Sequence, residues 1–164
     1  MSPSRIVHPL SPLYDLHSRV LILGTMPSPK SREAGFYYSH PRNRFWPTLS
    51  ACFDVPTPTA IEERRTLALS HGVALWDVLE SCMISGASDQ SIVHPVPNNI
   101  VWLLSRAPIR AIFTTGQTAE RLYRRLCQPA TGLESFVLPS SSPANCAISF
   151  DNLVNSYRKI LLFL

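Results

Sequence analysis

The sequence lacks any cysteine pattern that would hold a metal. Its four cysteines, Cys52, Cys82, Cys127 and Cys146, include no C-x-x-C pair, so neither a zinc site nor an iron–sulfur cluster is signalled. Reduced, mostly buried thiols in a cytosolic protein are the expectation. No apolar run reaches the length of a bilayer span, so no membrane partner is expected. The opening Met1-Ser2-Pro3-Ser4-Arg5 leads to a mixed stretch with His8, Asp15 and His17 instead of an apolar targeting region, and the chain reads as soluble and intracellular. Internal repeats, low-complexity tracts and a domain boundary are also missing, so residues 1–164 read as one domain. Charged residues make up only 16% against 45% hydrophobic, which excludes a disordered segment and allows a real core. The net charge of +4 suits a polyanionic partner without specifying one.

Four short apolar runs are present: Val20–Leu23, Val73–Trp76, Ala111–Phe113 and Phe136–Leu138. Apolarity without alternation implies burial on both faces, as in a parallel sheet. Helical patterns lie between and after them. One starts at Asn43 or Arg44 and carries Phe45, Trp46, Leu49 and Phe53, with Pro47 near its start. Thr59 with Glu62 forms a capping-box pattern for a second helix, which Gly72 ends after His71. Thr118 is placed to cap a third, with Leu122, Tyr123 and Leu126. The last follows Asp151 with Val154, Tyr157, Leu161 and Leu164 on one stripe. The proline clusters Val55–Pro58, His94–Pro97 and Leu138–Asn145 read as loops. The alternation predicts an α/β fold: a three-layer αβα sandwich around a central, mainly parallel four-stranded sheet. Ligands in such sheets bind beyond the strands' carboxyl ends. That rule selects the loops after Leu23, Trp76, Phe113 and Leu138, and the first and last should open at the same edge.

The loop after Leu23, Gly24 to Ser31, is rich in turn formers and could present backbone amides to an anion or a base edge. It is not a phosphate-binding P-loop, lacking the second glycine and the G-K-[ST] ending. The segment from Gly35 to Trp46 interleaves aromatics, arginines, a histidine and an asparagine. Aromatics offer stacking faces, arginines offer charge for phosphates, and an asparagine pairs with a base edge or orients a water. Each residue also has a plain alternative. Phe45 and Trp46 suit a core, Asn43 suits a helix cap, and His40 suits a bond to neighbouring backbone.

The combination of Gly24-Thr25-Met26-Pro27-Ser28 with Phe36-Tyr37-Tyr38-Ser39-His40-Pro41-Arg42-Asn43-Arg44-Phe45-Trp46 resembles the uracil-DNA glycosylase superfamily, nearest its hypoxanthine (deoxyinosine) branch. Leu75–Leu79, Ser88-Asp89, Pro95–Asn98 and Phe113–Gln117 are similar to that branch too. Leu138–Asn145 resembles the superfamily's minor-groove loop. The resemblance spans roughly residues 18 to 160 and implies one glycosylase domain. It departs from the uracil-cleaving relatives at Met26, where they carry an acidic or amide side chain that handles the attacking water.

The resemblance implies a monofunctional glycosylase that flips a deaminated base out of DNA and hydrolyses its N-glycosidic bond in base excision repair, with hypoxanthine the foremost base. Asn43 is then the catalytic residue, either donating to the departing base or orienting the water. Tyr38 stacks on the flipped ring, the main chain of Thr25, Met26, Pro27 and Ser28 reads its edge, and Gln117 also contacts the base. Lys30 and Arg42 contact phosphates, with Arg44 and Arg32 nearby. Ser140, Ser141, Ser142, Pro143, Ala144 and Asn145 hold the gap, with Pro143 or Ala144 as a small wedge. Asp77, Asp89 and His40 are secondary candidates. No metal, cofactor or Schiff-base lysine is implied. The partner is damaged double- or single-stranded DNA, bound by a monomer in a cytoplasm of bacterial or archaeal type. Open alternatives are a mismatch-specific uracil or thymine glycosylase, a non-catalytic damaged-DNA binding module suggested by Met26, and a small-molecule α/β domain.

Overall fold

The computed structural model describes residues 2–164, and among these two sheets form. The larger is fully parallel. It consists of β2 (Val20–Gly24), β3 (Val73–Asp77), β6 (Ala111–Thr115) and β7 (Ser135–Leu138), in the order β3-β2-β6-β7. These are the four apolar runs, lengthened by one or two residues at their ends. β2 and β3 are buried at every position, which is why their sequences show no alternation.

The chain runs outward from β2 to its neighbour β3, then crosses back over β2 to β6 and on to β7. Right-handed crossovers in opposite directions place their helices on opposite faces. Adjacent strands β2 and β6 therefore send their exit loops to opposite sides, which opens a crevice at their carboxyl ends. The helices are α1 (Pro29–Ala34), α2 (Phe45–Cys52), α3 (Ile61–Ser70), α4 (Ile100–Arg106), α5 (Gln117–Leu126), α6 (Gln128–Thr131) and α7 (Phe150–Tyr157). α2 packs on α7, α3 on β3, and α5 on β6 and β7. Buried Glu120 of α5 accepts from Thr114 Oγ1 of β6 at 2.6 Å and Ser135 Oγ of β7 at 2.5 Å, so its charge is fully hydrogen-bonded. Among the described residues no helix is long and apolar enough to cross a membrane.

The smaller sheet was not anticipated. It is antiparallel, ordered β1-β4-β5, from β1 (Ser4–Val7), β4 (Leu79–Ile84) and β5 (Val93–Pro97). β5 corrects the loop reading of His94–Pro97. Its prolines are tolerated because it is an edge strand with register shifts against β4, and its two valines, Val93 and Val96, are exposed and too interrupted by proline to form an apolar run.

Five helix details also differ from the sequence reading. The capping carboxylate of α3 is Glu63, not Glu62: it accepts from Ala60 N at 3.0 Å and from Thr59 Oγ1 at 3.3 Å. α5 begins at Gln117 with Gly116 as its cap, so Thr118 lies inside the helix. The C-terminal helix is capped by Ser149, whose hydroxyl accepts from Asn152 N at 3.2 Å. After Tyr157 it tightens to a 3₁₀ turn at Arg158–Phe163. That change of pitch buries Ile160 and leaves Leu161 and Leu164 exposed, breaking the expected stripe. Finally, the loop after β2 is shorter than Gly24–Ser31, because α1 starts at Pro29 and carries Lys30 and Arg32.

Candidate active site

A cleft of about 700 Å³ opens at the β2/β6 crevice. Its walls come from the β2 exit loop, the aromatic segment before α2, the β6–α5 turn and the loop after β7, so the first and last loops do share one edge. Gly116 allows the β6–α5 turn. Its φ of +92° is open to glycine, and a Cβ there would come within 3.4 Å of Ser140 Cβ.

The β2 loop is held rigidly. Val78 N donates to Gly24 O at 2.8 Å and Leu79 N to Thr25 O at 3.1 Å, extending the β2–β3 pairing past the strand ends. Ser28 caps α1 by accepting from Ser31 N, and Ser31 Oγ accepts in turn from Ser39 N at 3.1 Å. The two motifs are thereby joined through Ser31. Arg32 donates to Pro27 O at 2.7 Å, so its guanidinium braces the loop.

In the aromatic segment, Tyr37 and Tyr38 part company. Tyr37 is buried, with its hydroxyl on Ser11 O. Tyr38 has φ +53°, in the left-handed region that a bulky side chain enters only when its surroundings compel it. Its ring lies 3.8 Å from that of Phe45, nearly parallel, and it lines the cleft. Its hydroxyl is buried without a hydrogen-bond partner. Burial and then the Asp77 charge hold the phenol pKa far above its ordinary value, against a smaller opposing effect from Thr115, so it stays protonated.

Asn43 is half-buried at the cleft wall. Its Oδ1 accepts from Phe45 N at 2.9 Å and from Ser141 Oγ at 2.8 Å. Two lone pairs are thus filled, and the side-chain amide N–H groups are what Asn43 can offer a ligand. The N-cap of α2 is Arg44, not Asn43. The bond from Phe45 N makes Asn43 an Asx turn leading into the helix, and that turn and a role in chemistry fall on different atoms of one side chain.

The loop after β7 is an internally bonded platform. Ser141 is buried. Ser140 Oγ accepts from Ser142 N, Ser142 Oγ accepts from Ala144 N, and Asn145 Nδ2 donates to Ser140 O at 2.9 Å. Pro143–Asn145 form a 3₁₀ turn with Ala144 exposed. Arg44 fastens this loop to the aromatic segment through Asn145 O at 2.9 Å and Ile148 O at 2.8 Å. Its guanidinium is therefore committed to backbone carbonyls, a correction to its expected place beside phosphates.

Thr25, Met26, Pro27, Ser28, Lys30, Tyr38, His40, Asn43, Asp77, Asp89, Gln117 and Ser140–Asn145 all line the cleft. Arg42 is exposed and stands outside that wall. His40 Nδ1 accepts from Arg42 N at 3.0 Å. Asp89 sits on an exposed turn with its carboxyl toward the cleft. There burial raises its pKa most, the Thr25 hydroxyl offsets part of that, and the Asp77 charge adds to it.

The Uracil DNA glycosylase superfamily profile matches residues 11–161. The chain belongs to this superfamily. Its relatives include proteins named hypoxanthine DNA glycosylase from Methanosarcina acetivorans, 32% identical over 80% of this chain and 83% of that one, and from Methanosarcina barkeri, 30% identical over 82% and 85%. The solution NMR structure of a candidate uracil DNA glycosylase from Methanosarcina acetivorans superposes with a TM-score of 0.80 at 26% identity, covering 96% of this chain and 99% of that one.

One residue of this superfamily member escaped the sequence reading. His8, just outside the matched segment, buries its side chain against Asp77, with Nε2 2.7 Å from Oδ2. Asp77 is only 3% exposed, and the two residues are 69 apart. Nothing local to His8 announces the contact. The available signal was an acidic residue ending an apolar strand, since a buried carboxylate needs a partner.

Proposed function

We propose that this chain is a monofunctional DNA glycosylase that flips a deaminated base, foremost hypoxanthine, into the cleft and hydrolyses its bond to deoxyribose. Residues 1–164 act as one domain and as a monomer, in the cytoplasm, on damaged DNA. The observation that carries this reading is the convergence on one cleft of the Thr25–Ser28 loop, the Tyr38 ring and the unengaged amide of Asn43. Relatives named hypoxanthine DNA glycosylase, matched over more than four-fifths of their length, support the choice of base.

The chemistry follows from these groups. Tyr38, backed by Phe45, stacks on the extruded ring. The loop after β7 fills the minor-groove gap, with Ala144 at its exposed tip. As the bond breaks, negative charge develops on the base, and the Asn43 amide N–H groups, already oriented, stabilise it. Met26 supplies no donor and only a weakly accepting thioether for water, which disfavours the uracil-type reaction.

The test is a panel of duplex and single-stranded oligonucleotides carrying inosine, uracil, xanthine or mismatched thymine, scored for abasic sites. Inosine should be cleaved and uracil weakly or not at all. Robust uracil excision without action on inosine would overturn the base assignment. Tight binding with no release of any base would leave a binding module.

A further inference from the structure

Hydrolysis needs an acceptor for the proton of the attacking water, and in this cleft the Asn43 carbonyl is already occupied by Phe45 N–H and Ser141 O–H. Met26 offers only a thioether. The carboxylates lining the cleft are Asp77 and Asp89. Asp89 rides on an exposed turn, whereas Asp77 is buried at the end of β3.

The surroundings of Asp77 are built for one orientation. Leu10 N donates to His8 Nδ1 at 3.2 Å, which leaves the ring proton on Nε2, and Nε2–H donates to Asp77 Oδ2 at 2.7 Å. Buried Asn98 fixes the strand end behind it, donating to Asp77 O at 3.0 Å and Leu79 O at 3.1 Å. The other carboxylate oxygen, Oδ1, has no hydrogen-bond donor among the described residues. It lies 2.5 Å from where a Cβ on Gly24 would stand; the Tyr38 hydroxyl is 3.3 Å and Thr115 Oγ1 3.6 Å from the same point. Only glycine at position 24 leaves room for this carboxylate against the β2 exit loop. The carboxylate oxygen and the buried phenol thus both stand close over Gly24 in the wall of the cleft.

Resting on the glycosylase reading above, we propose that Asp77 Oδ1 is the acceptor that orients and deprotonates the hydrolytic water, and that His8, contributed by the segment before the superfamily match, is its positioning residue. The water oxygen bonds to C1′ of the deoxyribose as the C1′–N bond breaks. The bond's electron pair leaves with the base, the water's proton passes to Oδ1, and through solvent it restores the proton count on the departing base. Asp77 thereby takes the water, and Asn43 the leaving group.

The test uses single-turnover release of hypoxanthine from an inosine duplex, with affinity for a duplex carrying a tetrahydrofuran abasic analogue measured in parallel. Asp77→Asn keeps the bond from His8 and should slow release by on the order of a hundredfold or more, with affinity unchanged. His8→Leu should slow release by on the order of tenfold or more at unchanged affinity, and His8→Gln, which restores a donor at similar reach, should recover most of it. An Asp77→Asn enzyme that cleaves at the wild-type rate overturns the proposal. So do His8→Leu and His8→Gln enzymes that are equally slow and equally destabilised, because that marks a purely structural contact. Should Asp77→Asn not fold, the two His8 variants decide alone. A wild-type protein that releases no base overturns the glycosylase reading itself, whereas an active wild type with an active Asp77→Asn variant removes only this assignment.

Discussion

Ser141 Oγ donates to Asn43 Oδ1 at 2.8 Å across 98 residues of sequence. This bond joins the loop after β7 to the aromatic segment at the atom that sets which way the Asn43 amide faces. Without it the carbonyl keeps only the Phe45 N–H, and the amide is free to rotate. Ser141→Ala should therefore lower stability by about 1 kcal/mol and slow single-turnover cleavage far more than that loss explains, with DNA affinity nearly unchanged. Melting curves and single-turnover rates on the same preparations check this. A rate that falls only as far as the folded fraction would assign the bond to stability alone.

Alkali should unfold the protein from a definite pH upward. Burial holds the phenols of Tyr37, Tyr38 and Tyr157 above their ordinary range and pushes the Cys52 and Cys127 thiols from 9.0 up to about 11. The folded state binds these protons more tightly than the unfolded chain. Their contribution is thus fully present below the unfolded values and is lost as pH rises, first for the thiols between 9 and 11 and then for the tyrosines above about 10. Denaturation midpoints should drop steeply above pH 9. A midpoint unchanged across that window would show that these side chains reach solvent.

Legibility in the sequence followed uninterrupted apolar runs. β7 was read although Phe136 and Val137 are exposed, against the expected burial on both faces. The mostly buried β4, broken by Glu80 and Ser81, was not. β2, β3 and β6 were readable because both faces are covered and the code is a plain apolar run. β1 and β5 were unreadable because most of their side chains face solvent and Pro95 and Pro97 mimic a loop. The residues around the cleft were readable as a motif, but the division of labour within Asn43 was not, since it depends on Ser141 arriving from a distant loop. His8 was hidden for the same reason: its meaning lies in Asp77.

The arginines and lysines near the cleft should separate into two groups. Lys30 lines the cleft with its side chain 57% exposed and only a loose contact to Glu33 at 3.6 Å, and Arg42, in the aromatic segment, is exposed outside the cleft wall. Neutralising either should weaken binding to damaged and undamaged duplex alike and reduce the salt slope by about 1. Arg44 instead donates to two carbonyls, so Arg44→Ala should destabilise the fold by about 2 kcal/mol or more. Salt titrations by fluorescence anisotropy, set against melting temperatures, read both. Unchanged salt slopes for Lys30→Ala and Arg42→Ala would remove both from the phosphate track.

Asn43→Asp separates the turn before α2 from the chemistry with the smallest change of shape. A carboxylate oxygen at the place of Oδ1 still accepts from Phe45 N–H and Ser141 O–H, so both bonds seen here survive. Aspartate also forms such a turn as readily as asparagine. The fold and melting temperature should stay near native. What disappears is the donor: the second carboxylate oxygen offers lone pairs and negative charge where the amide offered N–H. A departing base that gathers negative charge would meet repulsion instead of a hydrogen bond. The loss of a donor of this kind costs on the order of a hundredfold or more in rate, and the added charge should deepen it. Asn43→Ser, too short to reach the same point, should also fold and bind inosine-containing DNA while releasing hypoxanthine far more slowly. If both variants keep nearly full single-turnover activity, Asn43 serves only the start of α2, and the groups that act on the base must be sought at Gln117 and Tyr38.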